Sequence, residues 1–174
     1  MTVHQLILGL YALTVVALHG GQQTGHRVPA DAAREADLAA IEKMRQQDIA
    51  ATVARDPVAL TDLWADDAIR LGVGYPAEIG KQAIRASNER QTENKSFKVL
   101  SYVPEIKDFT FLDGGWAVEW RSFTASYVDS PGGYAKQVRG TVLVVIKKLP
   151  DGRWKAFRAL GSMEPAGAPK TGGR

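Results

Sequence analysis

The sequence predicts an α+β domain. Helical periodicity fills the first half of the folded region. Strand alternation, broken by short Gly/Pro turns, fills the second. Between them the stretch LWADDAIRLGVGYPAEIGKQAIR, residues 63–85, passes from helix to strand to turn to helix. Helices followed by strands that short turns must pair antiparallel give helices packed on an antiparallel sheet rather than a parallel α/β layout.

At 174 residues, 45% hydrophobic and 24% charged, the chain has the composition of one ordinary globular domain with a sizeable core. Its net charge of +3 comes from scattered Lys and Arg, with no basic stripe of the kind that binds nucleic acid. With no cysteine, disulfides, thiol nucleophiles and thiolate metal sites are excluded. The three histidines, His4, His19 and His26, all precede the helical region. The folded part therefore has no imidazole base, Ser-His triad or histidine metal cluster, and calls for neither a metal nor a cofactor.

Residues 6–18, LILGLYALTVVAL, form an apolar run too short to span a bilayer comfortably but suited to the core of a signal peptide. Val15-Val16-Ala17 offers small residues for cleavage, although no Lys or Arg precedes the run. The reading is a signal peptide over 1–19, a disordered mature start over 20–30, and export to the periplasm or exterior. The alternative is a membrane tether through an uncleaved segment, which is the only membrane contact expected.

Over 31–55 the pattern is helical, with Leu38, Ile41, Met44, Ile49 and Val53 on the apolar face and Arg34, Glu35 and Glu42 on the wet side. Asp56-Pro57 ends it, and a short helix over 58–64 follows. A strand over 68–71, a turn at Gly72, Gly74 and Pro76, and a helix over 80–93 come next, with Ala83 and Ile84 inward. Strands are expected over 97–103 and 106–112, split at Pro104, which fits only a bulge or an edge. Further strands span 116–128, 134–148 and 154–160, joined at Asp113-Gly114-Gly115, Ser130-Pro131-Gly132-Gly133 and Pro150-Asp151-Gly152. The Pro/Gly-rich tail, 164–174, reads as disordered.

The spacing Asp56-x-x-Ala59-Leu60-x-x-Leu63-Trp64-Ala65-Asp66-Asp67-Ala68 resembles the opening signature of the NTF2-like superfamily, most closely its SnoaL-like/DUF4440 branch, related also to the calmodulin-kinase association domain. Gly80-Lys81-x-x-Ile84, Ala117, Gly140 and Asp151-Gly152-x-Trp154-Lys155 follow in the order that resemblance expects. It implies, over 31–163, a cone of three helices on a strongly curved sheet enclosing an apolar pocket. The superfamily includes ketosteroid isomerases, polyketide cyclases, dehydratases and epoxide hydrolases, and also binding and association modules, so fold does not fix function.

Asp48 sits at the border of the first helix's apolar face, where burial would raise its pKa and suit it to acid/base work. The resemblance puts Asp48 where isomerase-like relatives carry an oxyanion tyrosine, and puts Gly72 where they carry the general base. The familiar steroid isomerisation is therefore not expected. The plainer alternatives for Asp48 are a salt bridge to an arginine at the pocket edge, or solvent exposure. Asp66 and Asp67 point opposite ways on an extended segment and read as turn-forming rather than catalytic.

Glu119 and Arg121 share one face of the strand over 116–128, while Trp116, Val118 and Trp120 share the other. Alternation alone leaves open which face is inward. The family pattern favours the Ala117 side, and burial of both faces would suit a dimer. Arg158, in alternation with Trp154 and Ala156, is a candidate to hold an oxyanion or carboxylate, or else is an ordinary exposed or ion-paired arginine. Trp64, Tyr75, Trp116, Trp120, Phe123 and Tyr127 supply aromatic wall, with Leu71 beside them.

Three function classes follow. The first is an exported pocket protein that binds a small apolar or amphipathic molecule at Trp64, Leu71, Tyr75, Glu119, Arg121 and Arg158. The second is a cofactor-free isomerase, cyclase, dehydratase or hydrolase using Asp48. The third is a homo-oligomerising association module. A homodimer is expected, and no nucleic-acid partner.

Overall fold

A computed structural model describes residues 30–164; the apolar run over 6–18 and the tail beyond 164 lie outside the described residues. The elements run α1 (Ala30–Ala54), α2 (Pro57–Asp62), β1 (Trp64–Gly72), β2 (Glu78–Ile79), α3 (Lys81–Glu93), β3 (Lys98–Leu112), β4 (Trp116–Val128), β5 (Lys136–Lys148) and β6 (Trp154–Glu164). One six-stranded sheet has the order β2-β1-β6-β5-β4-β3. No helix among the described residues is long and apolar enough to cross a membrane.

The meander β3–β6 is antiparallel throughout, as its short turns require. β1 pairs parallel with β6. The turn rule does not reach this pair, because α3 and four strands intervene along the chain. The fold is thus α+β on a mostly antiparallel, unclosed sheet.

Several strand boundaries differ from those expected: β5 starts at Lys136, β6 runs on to Glu164, the short β2 is an addition, and β1 and β3 differ most. β1 begins at Trp64, so Ala65-Asp66-Asp67-Ala68 is already strand, with a register shift between Trp64 and Ile69. β3 is continuous through Pro104, which pairs with Phe123. No break is needed there, because β3 is an edge strand of the sheet, where proline is tolerated.

The buried stripe of α1 is less apolar than its periodicity suggests. Ile41 and Ala51 are buried, whereas Leu38 and Val53 lie on the exposed flank. Asp37, Arg45 and Asp48 complete the inward line, each held by the sheet. Asp37 accepts a hydrogen bond from Trp154 Nε1 at 3.0 Å and pairs with Lys148 Nζ at 2.6 Å. Those contacts anchor the first turns of α1 over the core of Ile41, Ala117, Val144, Ile146, Trp154, Ala156 and Ala159.

Asp56 caps α2, accepting from the N–H groups of Val58 (2.9 Å) and Ala59 (3.0 Å) ahead of Pro57. Its neighbour Arg55 donates to the carbonyl oxygens of Gln91 in the last turn of α3, of its C-cap Asn94 and of Phe97 beyond it, and stacks over the Phe97 ring. Ile84 of α3 packs on Ala65 and Ala68 of β1.

Gly140 allows the bend of the sheet. A Cβ there would stand 2.5 Å from both Phe123 Cζ and Ser162 O. The Phe123 ring therefore lies directly on the backbone of β5, and only glycine fits beneath it.

Candidate functional site

Alternation along β4 fixes the inner wall. Ala117 and Glu119 are buried, at 0% and 2% exposure, while Trp120 on the opposite phase is 49% exposed. The Ala117 side is therefore the inward one. Cross-strand pairing carries that face over the sheet: Glu119 opposes Val144, Val144 opposes Ala159, and Ala159 opposes Arg70.

Above this face lies a cavity of about 710 Å³, within the range of small-molecule sites. Its walls include Leu63, Trp64, Phe123, Val142, Val144 and Ile146, and α1 adds Met44, Arg45 and Asp48. Asp48, Trp64, Leu71, Tyr75, Glu119 and Arg121 all line it; Arg158 does not.

Four charges meet at one end. Glu119 Oε2 accepts from Arg45 Nε at 2.8 Å and lies 2.6 Å from Arg45 Nη2. Arg121 Nη1 is 3.7 Å from Glu119 Oε1, and Arg121 Nη2 is 2.9 Å from Asp48 Oδ2. The salt bridge to a pocket-edge arginine is thus the arrangement Asp48 adopts. Two cations and two anions balance, but alignment is imperfect. Arg121 Nε, Arg45 Nη2 and Asp48 Oδ2 are buried without a well-formed hydrogen bond among the described residues.

The two partners of the Asp48–Arg121 pair respond unequally. Burial pushes the Asp48 carboxyl up, outweighing the pull of Arg121 and Thr52. Burial also works against the Arg121 charge, yet Asp48, Tyr102 and Glu119 more than offset it and hold that pKa up. The asymmetry follows from the count of neighbours: Arg121 faces two carboxylates, whereas Asp48 faces one guanidinium. Tyr102 is pushed up to about 12 by burial and by the Asp48 charge, so it stays a neutral phenol.

No protein-family model matches the chain, and no curated protein sequence does. Solved structures do match. A ketosteroid isomerase-like protein from Erwinia carotovora atroseptica superposes with a TM-score of 0.62 at 21% identity, over 73% of this chain and 95% of that one. An NTF2-like protein with a cystatin-like fold from Novosphingobium aromaticivorans gives 0.60 at 19% identity, over 80% and 89%. The fold is NTF2-like. A hexachlorocyclohexane dehydrochlorinase from Novosphingobium barchaimii shares this architecture, with a TM-score of 0.64 at 15% identity over 83% and 98%. At such identities the likeness is one of fold, and chemistry has to be argued from this chain's own residues.

Within the NTF2-like cavity the aromatic residues divide. Trp64, Tyr75 and Phe123 line it. Trp116 packs edge-on against Phe157, Trp120 donates to Thr141 Oγ1 on the outer face, and Tyr127 stacks on Phe97. Leu71 and Tyr75 stand at the mouth, 42% and 69% exposed, and the Tyr75 ring covers Gly72, where a Cβ would meet Tyr75 Cδ2 at 3.3 Å.

Arg158 corrects the alternation read along β6. Ile146 pairs with Ala156 but Val145 pairs with Arg158, so Phe157 is an extra, bulged residue. The bulge reverses the phase, turning Ala159 inward and Arg158 outward. There Arg158 stacks on Phe157, with its centre 3.5 Å from the ring centroid, and donates to the Asp67 carbonyl at 2.9 Å. The acidic pair is likewise off the cavity: Asp66 is solvent-facing near Lys81, and Asp67 pairs with Lys147 at 2.5 Å.

Sequence reasoning missed Arg45, Arg70, Glu78 and Gln91, all of which line the cavity. Arg45 carried a usable signal, since it lies three residues before Asp48 on the same helix face. Arg70 and Glu78 form an ion pair, and Arg70 Nη1 donates to Asn88 Oδ1 at 3.0 Å. Asn88 in turn donates to Thr61 Oγ1 at 3.1 Å, tying β1, α3 and α2 together. Among the described residues no three acidic, histidine or cysteine side chains gather as a metal site.

Proposed function

We propose that this domain binds one small apolar or amphipathic molecule in the NTF2-like cavity, with the molecule's polar end at Asp48 and Arg121. The observation that carries this reading is a largely apolar hollow of about 710 Å³ with a balanced set of four charges gathered at its Asp48 end. Apolar walls supply affinity by removing ligand surface from water, and a few fixed polar groups orient the ligand. Arg121 and Asp48 hold each other in place before any ligand arrives, so little ordering cost attaches to binding. A chemically varied library screened by thermal shift tests it. Saturable stabilisation by amphipathic compounds is expected, and silence across all classes contradicts the reading.

A second reading has its own support: a carboxyl beside the cavity whose pKa burial has raised is placed to move a proton. In it Asp48 is the acid/base of a cofactor-free isomerase, cyclase, dehydratase or hydrolase. Binding is preferred because Arg121 already engages Asp48 at 2.9 Å. If a substrate is found, Asp48→Asn should abolish turnover while leaving a cooperative melting transition.

The outer face of the sheet supports a homodimer. Trp120 opposes Leu143 and Leu143 opposes Leu160, and these three are 47–50% exposed. Asp108 closes one end of this row, and Arg158 lies toward the other, so a two-fold related copy brings opposite charges together. Sedimentation should show a dimer that Trp120→Lys dissociates; a concentrated wild-type monomer would refute it. Export rests on the apolar run over 6–18, and N-terminal sequencing of protein from the cell exterior or periplasm should find it removed.

A further inference from the structure

The cavity has a second polar end. Glu119 and Arg70 stand on the same inward row of the sheet, separated only by Val144 and Ala159. Three strand spacings set them about 14 Å apart along the sheet. The row between is wholly apolar, flanked by Val142 and Gly161 on one side and by Ile146 and Ala156 on the other.

At the far end the Arg70 guanidinium is fixed on two sides, by Glu78 through Nε and by Asn88 through Nη1. Its Nη2 has no hydrogen-bond partner among the described residues, and Arg70, Glu78, Ser87 and Gln91 all border the hollow. Each end of the cavity thus offers a guanidinium whose charge a neighbouring carboxylate already balances. A ligand carboxylate or ammonium would add an uncompensated charge to either cluster, which is costly away from water. An uncharged oxygen adds none and still accepts from the guanidinium.

We infer that the cavity takes an elongated molecule with an uncharged hydrogen-bonding oxygen at each end and an apolar middle, one end at Asp48 and Arg121 and the other in a second subsite formed by Arg70 and Gln91. This rests on the binding reading above and adds the far subsite, the length of the ligand and its neutrality. The apolar middle spans the floor made by Val144 and Ala159, and the two arginines act as rulers for its length.

Isothermal titration of α,ω-alkanediols from hexanediol to dodecanediol, each against the primary alkanol of equal length, tests the inference on the full chain. A second hydroxyl ordinarily weakens binding to an apolar pocket, because it must leave water. Here a long diol should bind about tenfold more tightly than its alkanol, while hexanediol, too short to reach both ends, should show no advantage. The matching dicarboxylates should bind more weakly than the diols. In the charge-balanced double variant Arg70→Gln/Glu78→Gln, checked for an intact melting transition, the diol-to-alkanol ratio should fall to one or below. Gln91→Leu, at the rim, should lower the same ratio without disturbing the ion pair. Alkanols that bind while diols are weaker at every length overturn the second subsite and leave the binding reading standing. Failure of every alkanol and diol to bind removes both.

Discussion

Arg45 of α1 and Glu119 of β4 meet at 2.8 Å beneath the cavity, and Glu119, at 2% exposure, is among the most buried side chains of the domain. The contact joins the long helix to the sheet at the point where Arg121 and Asp48 also gather. It makes the polar end of the cavity a structural joint as well as a recognition surface.

Replacing one member of that joint should be costly. Glu119→Leu leaves Arg45 without its main partner and Arg121 with Asp48 alone, a loss of about 3–5 kcal/mol in denaturant unfolding. The double variant Arg45→Met/Glu119→Leu removes the stranded charge and should recover most of that loss. Equal costs for the single and double variants would show that packing, not charge balance, sets the price.

Asp48 should give an unusual pH signature. Its carboxyl is raised above the ordinary 3.8 by burial, so the folded state holds this proton more tightly than the unfolded chain. The stability it contributes is fully present below the unfolded value and is lost as pH rises through the higher folded value. Wild type should therefore lose stability relative to Asp48→Asn over that window, by denaturation at stepped pH. A difference that runs the other way would mean Arg121, not burial, controls the group.

Asp37 should behave in the opposite sense. Burial resists its charge, but Lys148 and Trp154 together hold its carboxyl below the usual value. Its contribution is present above the unfolded pKa and disappears as pH falls through the folded one. Asp37→Asn should flatten the acid limb of the stability curve, and an unaltered acid limb would argue against the anchor it makes with Lys148.

Gly140→Ala should destabilise by about 1–3 kcal/mol, because the added methyl meets both the Phe123 ring and the Ser162 carbonyl oxygen at 2.5 Å. Trimming the ring with Phe123→Leu should relieve only part of it, since the carbonyl belongs to the neighbouring strand. A neutral Gly140→Ala would mean that the sheet can flatten at no cost.

Much of this architecture was legible in the residues. Gly/Pro turns fixed the meander, and the Asp56-Pro57 stop placed the break between α1 and α2. Asp48 stood out because a carboxylate on the border of an apolar stripe is conspicuous. Three things were hidden, each for a physical reason. The bulge at Phe157 reverses the phase of β6 without a glycine or proline to announce it, so Arg158 looked inward while facing out. The parallel pairing of β1 with β6 is a long-range choice that no local turn encodes. Arg45, Arg70 and Glu78 did not stand out in the sequence, because the partners that let them line the cavity lie 74 residues away for Arg45 and 8 and 18 for Arg70.

The most direct measurement is a titration of decanol into isotope-labelled protein, following the arginine Nε–H signals and the aspartate carboxyl carbons. Saturable shifts at Arg121 and Asp48, with Arg158 still, would place the ligand's head on the inner face of β4. Movement of Arg158 with Arg121 and Asp48 silent, or no saturable shift at any of the three, would contradict it.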